Sequence, residues 1–149
     1  MIWLSIDPGL EGTGLAIWEG LEANRPLKTM ALKFKTKEEY LKSLNRILSE
    51  YMITYVLCED TILFQGSARG HASASTGKLF KLSRFIGAIE DLCNRLMIKF
   101  ELIAPNKWKG QLPKDVACSR IKVLCPFIPD KPHHLIDAVG IGLYRMGKF

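Results

Sequence analysis

Apolar and polar positions alternate along this chain in a way that predicts its elements in order. Ile2 to Ile6 form a short apolar run that stops at Asp7-Pro8-Gly9, a strand followed by a turn. Gly12-Thr13-Gly14 leads into a second run, Leu15-Ala16-Ile17-Trp18, closed by the turn signal Glu19-Gly20, so the two runs read as a hairpin. Met30, Leu32 and Phe34 alternate with Ala31 and Lys33, predicting a third strand over residues 27–34. Thr36 and Glu39 have the spacing of a capping box, and Tyr40, Leu41, Leu44, Ile47, Leu48 and Tyr51 follow at helical intervals. Residues 54–58 are apolar and partly β-branched, a buried strand ending in Glu59.

Residues 65–77 are small and polar without apolar periodicity, which predicts a mobile loop. Leu79, Leu82, Phe85, Ile86, Ile89, Leu92, Cys93 and Leu96 then mark a long amphipathic helix over 78–96. A last strand is expected over 99–103, a loop or short turn over 106–112, and a helix over 113–124 with Pro113 in its first turn. The final helix should run from near Pro132 to Gly147. The resulting order is an α/β arrangement that opens with three strands.

Length and composition narrow the class. The 149 residues read as one domain, 1–149, with 48% hydrophobic and 24% charged residues, ordinary for a globular protein. No apolar run approaches the roughly 18–20 residues that span a bilayer, and the N-terminal run meets an acid at once, as a first strand does and a secretory leader does not. Cys58, Cys93, Cys118 and Cys125 have neither C-x-x-C nor zinc-type spacing, so buried thiols in a reducing cytoplasm are expected. Twenty-one Lys and Arg against 15 acids give +6, and the pI is about 9.2. That balance favours a phosphate-bearing partner only weakly.

The acids change the picture. Asp7 and Glu59 each end an apolar strand, and strand ends in α/β sheets face a shared crevice. His134 and Asp137 lie three apart on the last helix and so share a face. Carboxylates gathered this way repel one another, and a hard divalent cation is their natural partner. Asp7 is the best candidate to bridge two such ions. His134 is a softer ligand that suits Mn²⁺, or a group that orients or deprotonates an attacking water. His133 can cap or pack the helix start. Alternation along the strand favours Glu59, with Asp60 as the fallback.

Basic residues fall in two groups, Arg69, Lys78, Lys81 and Arg84 in one, and Lys107-Trp108-Lys109 with Lys114 in the other. Contacts of this sort to phosphates supply affinity without reading base sequence. Phe64 beside the polar loop is a candidate to stack on or wedge against an unpaired base.

Together these motifs resemble the RuvC-type Holliday junction resolvases of the ribonuclease H-like superfamily. The resemblance runs from Ile6-Asp7-Pro8-Gly9 and Thr13-Gly14, through Glu59, to His134-x-x-Asp137-Ala138, and Pro105-Asn106-Lys107-Trp108-Lys109 is similar to the family's Pro-x-x-x-Lys segment. It implies a mixed five-stranded sheet, three N-terminal strands antiparallel and two parallel, flanked by helices. It also implies a nuclease carrying two Mg²⁺ or Mn²⁺ ions per site on Asp7, Glu59, His134 and Asp137, with Lys109 and Lys114 as functional lysines. The implied enzyme is a homodimer formed through helix 78–96, whose many apolar positions that role would explain, and it makes paired nicks in four-way junctions that leave 5′-phosphate and 3′-hydroxyl ends. His134 stands where many members carry Asp, the stretch from Lys109 to Lys114 is shorter than in many bacterial members, and the compact C-terminus is similar to that of phage-borne members. Two other readings stay open, a ribonuclease H-like nuclease acting on RNA or hybrids, and a silent module that binds branched DNA.

Overall fold

The computed structural model describes residues 1–61 and 77–149. Five strands, β1 (Ile2–Asp7), β2 (Gly12–Glu19), β3 (Lys28–Lys33), β4 (Tyr55–Glu59) and β5 (Lys99–Ile103), form one sheet in the order β3-β2-β1-β4-β5. β1 pairs antiparallel with β2, and β2 with β3, while β1-β4 and β4-β5 are parallel. The helices are α1 (Lys37–Glu50), α2 (Lys78–Arg95), α3 (Pro105–Trp108), α4 (Lys114–Leu124) and α5 (His133–Arg145).

Strand alternation assigns the two faces of the sheet. Leu4, Ile6, Leu15, Ile17, Val56 and Cys58 pack with α1 and α2 on one side. Trp3, Ala16, Trp18, Tyr55 and Leu57 pack with α4 and α5 on the other. Asp7 follows Trp3 and Ser5 in the period of two, and Glu59 follows Tyr55 and Leu57, so both acids fall on the α5 side. The register places Ile6 opposite Cys58, which makes Asp7 and Glu59 the next residues of adjacent parallel strands.

Helix α5 lies directly on this face. It buries Leu135, Ile136, Val139, Ile141 and Leu143, and each such side chain contributes about 1.5–3 kcal/mol. A buried polar chain fixes its position along the sheet: the Trp18 indole donates to Ser5 Oγ at 2.9 Å, and Ser5 Oγ donates to the Ala138 carbonyl at 2.6 Å. The approach requires a hydrogen at position 14, where a Cβ would overlap the His134 carbonyl.

Three expectations shift in detail. Thr36 accepts from the Glu39 amide at 3.2 Å, but Glu39 accepts from the Lys35 amide, one residue outside the cap. Residues 105–108 form a single helical turn with Pro at its start, where a loop or short turn was expected from residue 106. Helix α2 turns Phe85, Ile86, Ile89, Leu92 and Cys93 into the chain's own core, so its apolar pattern needs no second subunit to explain it. Its outward side carries Phe80, Lys81, Arg84 and Gly87.

The four cysteines are buried and unpaired. Burial pushes the Cys58 thiol well above the usual range, with Asp7 adding to the effect, and pushes Cys93 up to about 12. Neither is a thiolate nucleophile at neutral pH. Among the described residues, no helix is long and apolar enough to cross a membrane.

Candidate active site

Asp7, Glu59, His134 and Asp137 line one cavity of about 660 Å³, together with Pro8, Lys114, Lys131, Pro132 and His133. Two carboxylates come from the ends of β1 and β4, and the third comes from the first turns of α5. The magnitudes show what holds them there. The five buried apolar side chains of α5 together outweigh the single His134–Asp7 pair. In that pair the His134 side chain is 47% exposed although that of Asp7 is only 8%, and an ion pair with one partner open to solvent contributes about 1 kcal/mol. Packing therefore sets the frame, and the acids are carried on it.

Two of the three acids have a nitrogen partner. His134 Nδ1 lies 2.8 Å from Asp7 Oδ2, and in the Nδ1-protonated tautomer it donates to that oxygen. This contact raises the His134 pKa, against the opposing effect of burial. The ring packs over Gly9, where a Cβ would stand 3.0 Å from His134 Cε1. Glu59 Oε2 accepts from the Trp108 indole Nε1 at 2.5 Å and lies 3.9 Å from Lys109 Nζ. Burial pushes the Glu59 carboxyl up to about 7, with Asp7 adding to the rise and Lys109 and Trp108 opposing it. Burial and the Asp7 charge also raise Asp137, while Lys109 and Lys114 counter them.

Among the described residues, no group of three His, Cys, Asp or Glu side chains stands close enough to hold a metal ion as it is. The expected convergence is thus a shared cavity rather than a closed cluster. The physical reason is repulsion: like charges separate, and Asp7 and Glu59 each take a nitrogen partner. The donor set nonetheless suits a hard divalent cation, being three carboxylates, of which Glu59 and Asp137 are raised in proton affinity by burial and by the Asp7 charge.

Of Glu59 and Asp60, Glu59 faces the cavity, whereas Asp60 Oδ1 accepts from the Thr61 amide. Lys114 lines the cavity, and Lys109 stands beside Glu59. Lys78 lines a neighbouring cavity of about 340 Å³ that shares His134. Lys81, Arg84 and Lys107 are exposed, and Phe64 and Arg69 lie outside the described residues, as does most of the polar stretch 65–77. Sequence reasoning missed Lys131 and gave Trp108 no role. Lys131 lies three residues before His134, a short reach into the same cavity. Trp108, grouped with the basic residues as an aromatic neighbour, is only 2% exposed and so cannot stack on a base.

Comparison with known structures places this geometry. RuvC of T. thermophilus in complex with a Holliday junction substrate matches with a TM-score of 0.75 at 18% identity, covering 99% of this chain and 97% of that one. The fold is the RuvC-type, ribonuclease H-like fold. The Holliday junction resolvase of fowlpox virus shares it, with a TM-score of 0.62 at 18% identity over 100% of both chains. A second structure of the fowlpox virus resolvase, in complex with Holliday junction DNA, gives 0.54 at 16% identity over 99% of this chain and 97% of that one. No protein-family model matches the sequence, and no curated protein matches it significantly. The RuvC-type fold puts the ends of β1 and β4 and the start of α5 at one point, which is where the acids of this chain lie.

Proposed function

We propose that this protein is a structure-selective DNA endonuclease that resolves four-way junctions. The observation that carries the reading is the cavity in which Asp7, Glu59 and Asp137 meet His134 and Lys114 on a RuvC-type fold. Solved neighbours with that fold are bound to Holliday junctions, and this chain carries +6.

Asp7, Glu59, Asp137 and His134 would hold two Mg²⁺ or Mn²⁺ ions. Such ions, when bound, stabilise the attacking and leaving oxygens of an in-line displacement at phosphorus. Asp7 sits between the other groups, in contact with His134 and acting on both Glu59 and Asp137. Lys109 and Lys114 offset the carboxylate charge and draw in the phosphate backbone. With Nδ1 donating to Asp7, neutral His134 keeps Nε2 as its acceptor nitrogen, able to ligate Mn²⁺ or to take a proton from water. Hydrolysis of the P–O3′ bond leaves a 5′-phosphate and a 3′-hydroxyl. Lys78, Lys81, Arg84 and Lys107 supply further phosphate contacts, and Phe64 and Arg69 belong to the same proposed surface. Paired nicking requires two sites, so the enzyme acts as a homodimer through the outward side of α2, where Phe80 is 64% exposed.

Asp7→Asn tests this reading. It keeps the side chain's size and removes its charge, so junction cleavage in Mg²⁺ or Mn²⁺ should fall at least about 100-fold while junction binding without metal persists. Full cleavage by Asp7→Asn would overturn the assignment. Cleavage of an RNA–DNA hybrid with the junction left intact would favour the ribonuclease reading instead.

A further inference from the structure

We infer that Trp108 is a positioning residue that fixes the orientation of Glu59 and commits one of its two oxygens. The inference rests on the proposed role of Glu59 as a metal-holding carboxylate. Trp108 ends the short helix α3, which starts at Pro105 immediately after β5 and its neighbour Ala104. Its side chain is 2% exposed and wedged against α5, where a Cβ at Gly140 would meet both the indole ring and Ile121. Phe149 closes the other side with ring centroids 5.8 Å apart. The indole plane is therefore held among α5, Ile121 of α4 and the C-terminal Phe149.

A buried tryptophan must place its N–H on an acceptor, and most find a carbonyl or a hydroxyl. Trp3 and Trp18 do so, on the Gly20 carbonyl and Ser5 Oγ. Trp108 instead donates to a cavity-lining carboxylate at 2.5 Å. Indole nitrogen is a donor only and carries no charge, so it orients Glu59 without neutralising it. Lys109 stands farther away, at 3.9 Å from the same oxygen, and its ammonium lies 5.0 Å from the Trp108 ring centroid. One ring thus holds the carboxylate by its edge and the lysine by its face. With Oε2 committed to the indole, Glu59 serves a cation through Oε1.

Trp108→Phe removes the N–H and keeps an aromatic ring in the same slot. Loss of a hydrogen-bond partner behind a metal ligand typically costs about 10- to 100-fold in metal affinity or activity. Junction-cleavage kcat should fall within that range with KM for junction DNA unchanged, and Mn²⁺ binding without DNA, read by electron paramagnetic resonance, should weaken in parallel. If Trp108 acts through Glu59, adding Trp108→Phe to Glu59→Gln should cause no further loss. Wild-type Mn²⁺ affinity in Trp108→Phe, or a loss that persists undiminished beside Glu59→Gln, would overturn the inference. A third reading does not depend on how Trp108→Phe folds: the indole ¹⁵N–¹H signal of Trp108 should move in Glu59→Gln while those of Trp3 and Trp18 stay in place. An unmoved Trp108 signal would also overturn it. Failure of the unmutated protein to cut any junction would instead sink the nuclease reading and leave the indole experiment to decide the positioning role.

Discussion

At the scale of single residues, the site is a set of acids whose charge is costly to hold. Glu59 shows this most clearly, its carboxyl pushed from 4.5 up to about 7 by burial and by Asp7. Its folded pKa lies above its ordinary one. The folded protein therefore keeps a proton that the unfolded chain releases between those values, and the stability Glu59 contributes is full below about pH 4.5 and lost as pH rises through about 7. His134, raised by its bond to Asp7, acts in the same direction. Metal-free protein should melt higher at about pH 5.5 than at about pH 7.5, by about 2–4 °C for each kcal/mol involved. Calorimetry should show Glu59→Gln flattening the difference and Mn²⁺ restoring stability at the higher pH. Equal slopes in the two proteins would contradict the burial of this charge. Asp7 and Glu59 were legible in the sequence because each ends an apolar strand on the same alternation phase. Trp108 was not, because an aromatic between two lysines reads the same whether it faces solvent or core, and only the packing of α5 decides.

At the scale of elements, the site depends on how closely α5 approaches the sheet. Gly14 admits the helix backbone, and a methyl group there would overlap the His134 carbonyl, a group that cannot rotate away. Gly14→Ala should destabilise by about 3 kcal/mol, the upper end for overpacking, and displace His134 and Asp137 from Asp7. Denaturant unfolding of the variant checks this, and unchanged stability would contradict the packing described. Long elements with strong periodicity, such as α2 and the strand triplet, were readable from the sequence. The four residues of α3 were not, because a single turn is too short to show a period.

At the scale of the whole molecule, a basic chain wraps a small acidic centre, and only tertiary structure separates the two. The order of strands and the terminal position of His134 and Asp137 made the RuvC-type resemblance readable without a structure. The expected homodimer rests on that resemblance alone. The apolar residues of α2 that a dimer would have explained face the chain's own core, so a dimer formed through α2 would use its outward residues around Phe80. Mapping both nicks on a mobile four-way junction tests the central claim most directly. With each strand labelled in turn, the unmutated protein in Mg²⁺ or Mn²⁺ should cut two strands of like polarity at symmetric positions and leave ends that ligase seals. Nicks confined to one strand, or an intact junction under conditions where the protein binds it, would contradict the account.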